Sequence, residues 1–158
     1  MFEKKPNLTY WQVAPQRIDR MTRVKMPGAL LSGGAATLLC EKGEASLLID
    51  FHAEVVGSIS LKAACAAPAH ITIIYEEEPD AAMRREDYIC SWYKQPKDEY
   101  DLEIGEHTLI SQGRRGFRYA GVFVCSEKNV ILSDVHAISG GWAVEPRGSF
   151  CCSDERIN

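Results

Sequence analysis

The chain has 158 residues, with 18 Lys and Arg against 22 Asp and Glu, so its formal net charge is −4. This is the length of one ordinary domain, and 46% apolar residues can build a core without a disulfide or metal staple. The acidic balance argues against a nucleic-acid partner, because proteins that bind phosphates present a basic face. No stretch approaches the roughly 18 uninterrupted apolar residues of a membrane span, so we expect no membrane partner.

The six cysteines are too few for a disulfide scaffold, and none forms a CxxC pair with metal-ligand spacing. We expect mostly free thiols, with Cys65 and Cys125 acting as small hydrophobic residues in strands. Mostly free thiols predict a cytoplasmic protein, since disulfides form in oxidising compartments. An exported protein whose signal peptide has been removed fits the same residues.

The dominant period along the chain is two. The first 45 residues show it weakly and predict one or two short strands that belong to the same domain. From Val55 to Cys65 the apolar residues occupy alternate positions, which predicts a strand with one buried face. Similar runs rich in Ile, Val, Phe and Tyr, bounded by turn formers, lie at Leu47–Phe51, His70–Tyr75, Tyr100–Ile104, Phe117–Cys125 and Val130–Ile138.

Both faces of the run Phe117–Cys125 are apolar, which is typical of a central strand that is covered on both sides. Within it, the alternation predicts that Phe117 and Tyr119 share one face and that Arg118 lies on the other. Many short strands with Gly and Pro punctuation predict an all-β fold, an antiparallel β-sandwich of the jelly-roll or concanavalin-like kind.

The segment between Pro79 and Pro96 breaks the two-residue period, because its apolar residues recur with roughly helical spacing. A short helix in 80–95 and a long ordered loop both fit this pattern.

The last residues indicate the start of a helix, with Ser153 as the N-cap, acidic residues in the first turn and Ile157 as the first apolar residue. Fewer than two helical turns are not stable alone. We therefore expect residues 151–158 to begin a linker or helix toward a further domain, with 46–150 as the sandwich core and 1–45 as its N-terminal segment.

Four segments carry a resemblance to a known family: LIDF at 48–51 with EVVG at 54–57, ITIIYEE at 71–77, RGFRY at 115–119 and GSFCCSD at 148–154. In order and spacing they resemble the patterns LDFG with VVG, a strand that ends in YGE, GFRY, and G.F.CSD of the bacterial α-L-rhamnosidases, glycoside hydrolase family 78. Two positions depart from these patterns. His52 stands where the family often has glycine, and Glu77-Glu78-Pro79 replaces a glycine-bearing turn.

The resemblance implies a β-sandwich that precedes an (α/α)6 barrel, with the catalytic carboxylates of an inverting glycoside hydrolase on that barrel. It assigns no catalytic residue and no cofactor to this chain, which we expect to be inactive alone. We interpret the chain as the non-catalytic sandwich domain, whose partner is a missing C-terminal barrel of the same polypeptide. Contact with rhamnose-containing carbohydrate is compatible with this role. The alternative is a free-standing carbohydrate-binding module.

The candidate carbohydrate-binding residues are Trp92, Tyr93 and Glu77. The aromatic rings suit the apolar C–H side of a sugar while their polar tips reach hydroxyls, although structural packing is the favoured interpretation. Glu77 belongs to an acidic strand end that fits a solvated surface or a contact with sugar or calcium. We expect Trp11 or Trp142 to fill a core or an interface.

The candidate barrel-interface residues are Phe150 and Ile157, which lie near the C-terminal end and would belong to the apolar face that the barrel covers. No metal site is expected. The four histidines show no HxH or HxxxH pairing, and surface or partly buried imidazoles are the better expectation: His52, His70, His107 and His136.

Overall fold

A computed structural model describes residues 8–85, 95–111, 113–142 and 153; of Trp142 it describes the backbone. These residues form ten β-strands, and the predicted all-β class is confirmed. The strands are β1 Leu8–Val13, β2 Arg17–Thr22, β3 Val24–Lys25, β4 Ala35–Leu38, β5 Ala45–Cys65, β6 Ala69–Glu76, β7 Lys97–Leu102, β8 Gly105–Ile110, β9 Arg115–Ser126 and β10 Val130–Trp142.

Three short helical segments interrupt the described strands. Pro27–Ser32 and Cys40–Lys42 are 3₁₀ helices, and Pro79–Ala82 is one turn of α-helix, α1. Proline at its first position supplies a fixed φ where no backbone donor is needed, which explains why the helix begins there. This turn lies at the start of the segment for which a short helix and a long ordered loop both fit, and residues 86–94 of that segment lie outside the described part of the chain.

All strand pairs are antiparallel, in the order β3-β4-β10-β5-β9-β6-β7, with β1 added to β10 and both β2 and β8 added to β5. The first half of β5 pairs with β2 and β9, whereas the second half pairs with β8 and β10. The one long strand thus passes from one layer of a sandwich into the other.

The bend in β5 lies at residues 51–54. Asp50 pairs with Tyr119 and Val55 pairs with Phe117, so four residues of β5 stand opposite the single residue Arg118 of β9. His52 within this bulge has a φ of 68°. The left-handed region favours glycine, since a Cβ meets the following carbonyl there. This agrees with the glycine that family 78 often carries at this position.

A single large apolar cluster fills the space between the layers. It contains Leu47 and Ile49 from the first half of β5 together with Ile59 and Leu61 from the second half, so the two halves face each other across one core. The central position predicted for the Phe117 run is confirmed, because β9 lies between β5 and β6 and is buried over most of its length.

Two details of the predicted alternation are wrong. Phe117 belongs to the main core, whereas Tyr119 belongs to a separate cluster on the outer face, because the bulge in β5 breaks the register opposite Arg118. The alternation expected through Ile104 also ends early. Strand β7 stops at Leu102, and Ile104 is 68% exposed in the turn before Gly105.

The outer cluster forms where α1 covers the sheet. Ala82 packs there on Leu48 and Tyr119, beside the half-buried Met83. The carbonyl oxygen of Ala82 comes so close to Gly121 that a Cβ at this glycine would overlap it. Among the described residues, no helix is long and apolar enough to cross a membrane.

Candidate functional site

Two residues from the family-like motifs meet at the bend in β5. Nε of Arg118 donates to Oδ1 of Asp50 at 3.0 Å, and its Nη2 donates to Oδ2 at 3.3 Å. The backbone N–H of His52 donates to the same Oδ1 at 2.7 Å, and the guanidinium of Arg17 lies 3.5 Å from Oδ2. The buried carboxylate therefore ties the bulge of β5 to both neighbouring strands.

The electrostatics of Asp50 favour its charged form. Burial by itself raises the pKa of this carboxyl, but the hydrogen bonds from Arg118 and His52 and the positive charges of Arg118 and Arg17 together hold it below its ordinary value. A carboxyl that is paired in this way keeps its charge and does not act as a proton donor near neutral pH.

A second arginine–carboxylate pair lies three residues earlier on β9. Arg115 donates to both carboxylate oxygens of Asp98, at 2.6 and 2.8 Å, and its guanidinium lies 4.7 Å from the ring centroid of Tyr75. The hydroxyl of Tyr75 also donates to Asp98, at 3.0 Å. Bidentate geometry and the stacked ring make arginine hard to replace by lysine at this position.

Tyr100 lies beside this pair. Burial, followed by the negative charge of Asp98, raises the pKa of its hydroxyl to about 12, and burial also raises the pKa of Tyr75 well above its ordinary value. The hydroxyl of Tyr100 is buried and has no hydrogen-bond partner among the residues that the structure describes. Sequence reasoning missed Tyr75, Asp98 and Tyr100 as one cluster, because Tyr75 lies on β6 whereas the other two lie on β7, and the three form no local motif.

Glu77 lies in the acidic turn that follows β6. Its side chain is exposed, and the neighbouring Glu78 lies near enough to Arg118 to raise the pKa of that guanidinium slightly further. The main causes of that raised pKa are the hydrogen bond and charge of Asp50. Glu77 is therefore open to solvent, and its role toward sugar stays a prediction.

The segment that follows this turn is fastened to the outer face of the sheet. Arg20 of β2 pairs with Asp80, and Glu44 pairs with Arg85 at the other end of the described part. Nε2 of the buried Gln95 donates to the carbonyls of Ala81 and Arg84, at 3.1 and 3.2 Å. Segment 79–85 is thus held as a fixed cover.

Four of the five predicted site residues lie outside the described part of the chain: Trp92, Tyr93, Phe150 and Ile157. Their assignment to carbohydrate binding or to a barrel interface stays a prediction.

A shallow groove of about 500 Å³ lies at the opposite end of β6. Its polar wall contains His70, whose Nδ1 lies 2.7 Å from Oδ1 of Asp101. Asp101 is almost fully exposed, so this pair contributes little to stability.

Cys125, also in the groove, lies 3.3 Å from Oε2 of Glu44, and burial together with that carboxylate raises the pKa of its thiol. A raised pKa makes it a poor nucleophile.

Within the described ranges, no group of three or more His, Cys, Asp or Glu side chains is arranged to hold a metal ion. The histidines are exposed or half-buried, as expected. The thiols of Cys40, Cys65 and Cys125 are free. Cys65 faces the core as predicted, whereas Cys125 faces outward, because the β9 residue that precedes it, Val124, is the one in the core.

The fold and these contacts define the class of the protein. It is a β-sandwich domain in which the carboxylates of Asp50 and Asp98 are both paired with arginine. No family model matches the chain, and no curated protein matches it. A fucose-binding module from Streptococcus pneumoniae has the same fold, with a TM-score of 0.53 and 11% identity over 80% of this chain and 96% of the module.

Two rhamnosidase structures are more similar. A family 78 rhamnosidase from Bacillus sp. GL1 is 28% identical over 82% of this chain, with a TM-score of 0.63. A rhamnosidase from Klebsiella oxytoca with rhamnose bound is 19% identical over 85%, with a TM-score of 0.61. The chain spans 14% and 30% of those two proteins. The resemblance to a sandwich domain of family 78 is confirmed.

Proposed function

We propose that this chain is the non-catalytic β-sandwich domain of an α-L-rhamnosidase-like glycoside hydrolase, and that it supports a catalytic barrel in the same polypeptide. The observation that carries the proposal is the match to the Bacillus family 78 enzyme at 28% identity, which covers 82% of this chain but 14% of the enzyme. A similar domain therefore occurs there as a small part of a much longer protein.

The chemistry of the described carboxylates supports this role. Inverting glycoside hydrolysis needs two carboxyls about 6.5–9.5 Å apart, one of which has a raised pKa so that it can donate a proton. Asp50 and Asp98 are instead paired with Arg118 and Arg115, and the pKa of Asp50 is lowered. These groups act as structural anchors at the bend and at the edge of the sandwich.

The experiment compares two proteins on an aryl α-L-rhamnoside: the 158-residue chain, and the polypeptide encoded by its full reading frame. The expected result is hydrolysis by the longer protein and none by the chain. Activity of the chain alone would show a catalytic site within it. A full reading frame without a further domain would also overturn the proposal.

The interface with the barrel has its own test. Phe150→Ser and Ile157→Ser, made in the longer protein, should lower its thermal stability and its activity together, because they would remove apolar contacts between the domains. The control variant is Met26→Ser. Because Met26 lies far from these two residues in sequence and is 73% exposed, its replacement should change neither the stability nor the activity.

The second candidate is a free-standing carbohydrate-binding module. It is favoured by one observation, that the fucose-binding module of Streptococcus pneumoniae is covered over 96% of its length, so the fold is sufficient for a complete module. Isothermal titration of the chain with L-rhamnose and rhamnosylated oligosaccharides separates the two. Heat at millimolar sugar from a protein whose gene encodes nothing further would favour the module.

A further inference from the structure

An exposed tryptophan lies at one end of the second layer of the sandwich. Strand β1 places Trp11 opposite Ser139 of β10, two residues before Val13, which packs on the main core. Alternation puts Trp11 on the same inner face as Val13, but beyond the end of the core, where its side chain is 49% exposed. The ring is therefore anchored on the sheet and half open to solvent.

The ring of Trp11 lies close to the backbone of β10 at Gly141. A Cβ built at Gly141 would lie 3.1 Å from Cη2 and 3.5 Å from Cζ3 of Trp11, so a larger residue there would displace the indole. The neighbouring Gly140 carries the ring of Tyr10 on the other face of the same strand. Neither glycine has a side chain to separate these two rings from the backbone of β10.

An arginine reaches the same two glycines. Nη2 of Arg114 donates to the carbonyl oxygen of Gly140 at 2.8 Å, just beyond Ser139, the last residue that β10 pairs with β5. Arg114 is exposed, and among the described residues the carbonyl oxygen of Gly140 is its one hydrogen-bond acceptor. A guanidinium has five N–H donors, so several donors have no acceptor among the described residues. The arginine and the indole lie at consecutive residues of β10, Gly140 and Gly141, whose Cα atoms are about 3.8 Å apart.

We infer that Trp11 and Arg114 form a subsite for one pyranose ring, whose C–H face stacks on the indole while its oxygens accept hydrogen bonds from the guanidinium. This inference rests on the proposed function, since it assigns the carbohydrate contact to Trp11 rather than to Trp92 and Tyr93. A ring with an apolar face and several acceptor oxygens matches this pair. A nucleobase with its phosphate also fits an indole and an arginine, but the net charge of −4 disfavours a polyanion.

The test follows the three indole Nε1–H signals of the ¹⁵N-labelled full chain by NMR during titration with L-rhamnose, L-fucose and D-glucuronate. Single Trp→Phe variants assign the signals. We expect the Trp11 signal to move with at least one sugar in the millimolar range. Arg114→Gln should raise the dissociation constant of that sugar about tenfold, which corresponds to about 1.4 kcal/mol. Trp11→Ala should abolish binding, and the matched control Arg84→Gln, which changes another exposed arginine, should leave the dissociation constant unchanged.

Three outcomes would overturn the subsite: a Trp11 signal that stays still up to about 50 mM of every sugar, shifts that depend on Trp92 instead, or an Arg114→Gln variant that binds as tightly as the parent chain. Arg114→Gln keeps the indole in place, so it tests the site even where Trp11→Ala fails to fold. Failure here leaves the domain assignment intact, because that assignment depends on the longer polypeptide and its activity.

Discussion

The carboxylate of Asp50 accepts a hydrogen bond from Nε of Arg118 at 3.0 Å, across a point where β5 has four residues and β9 has one. The pair explains why the two motifs LIDF and GFRY occur together. A strand that changes layers leaves a gap in its ladder, and a long side chain from the facing strand bridges that gap. The exposed guanidinium remains in contact with water, whereas the carboxylate is buried.

Removal of this carboxylate should destabilise the chain. We expect Asp50→Ala to lower the free energy of unfolding by about 2–3 kcal/mol, below the roughly 3–5 for a fully buried pair, because both arginines stay in contact with water. The melting temperature should fall by about 5–10 °C. Glu41→Ala is the control, since its 3.7 Å pair with Lys128 is half exposed. Equal shifts for the two variants would contradict a structural role for Asp50.

The contribution of Asp50 should depend on pH in the acid range. Its pKa is lower in the folded chain than its ordinary value of 3.8, so the stabilisation is present above that value and is lost as the pH falls through the folded pKa. The difference in unfolding free energy between the parent chain and Asp50→Ala should be constant from about pH 5 to 8 and should shrink below about pH 4. Urea unfolding across this range measures it. A difference that persists at the lowest pH would show that the lost packing matters more than the charge.

Two tyrosines offer a matched pair of variants. Tyr75→Phe removes a donor to the charged Asp98 and should cost about 1–2 kcal/mol, whereas Tyr100→Phe removes a hydroxyl that has no partner among the described residues and should cost less than about 0.5 kcal/mol. Chemical denaturation of both variants decides the order. The reverse order would show that the Tyr100 hydroxyl is the better satisfied of the two.

The cover over the outer face depends on Gly121. Gly121→Ala should destabilise the chain by about 1–3 kcal/mol, because the new methyl group overlaps the carbonyl oxygen of Ala82 and must displace α1. Gly28→Ala is the matched control, since no atom lies within 4 Å of the added Cβ. Thermal unfolding compares them, and a tolerated Gly121→Ala would mean that α1 is not held against the sheet.

The bulge residue His52 should prefer glycine. At a φ of 68° a Cβ costs about 1–2 kcal/mol, which the larger entropy of an unfolded glycine offsets by about 0.5–1 kcal/mol. We expect His52→Gly to be more stable than His52→Ala by up to about 1 kcal/mol, while both keep the backbone N–H that Asp50 binds. Differential scanning calorimetry of the two variants measures the difference. A more stable alanine variant would contradict the left-handed conformation at this position.

Local sequence patterns predict much of the fold. The alternation from Val55 to Cys65 predicts a strand with one buried face, and the two apolar faces of Phe117–Cys125 predict a central strand. Both strands are present and the central position of the second is confirmed, but the single buried face of the first is wrong over 57–61, where Ser58 and Ser60 are buried as well. The motifs were likewise sufficient to predict the resemblance to family 78.

Tertiary structure decided what local patterns do not encode. The bend at residues 51–54 moves Tyr119 to the outer face and brings Asp50 to Arg118, although these two lie 68 residues apart in sequence. Trp11 and Arg114 meet at two glycines of a third strand for the same reason. Which side chains become neighbours depends on strand order and register, and both are set by the whole sheet at once because every strand must bury its apolar face against the same core.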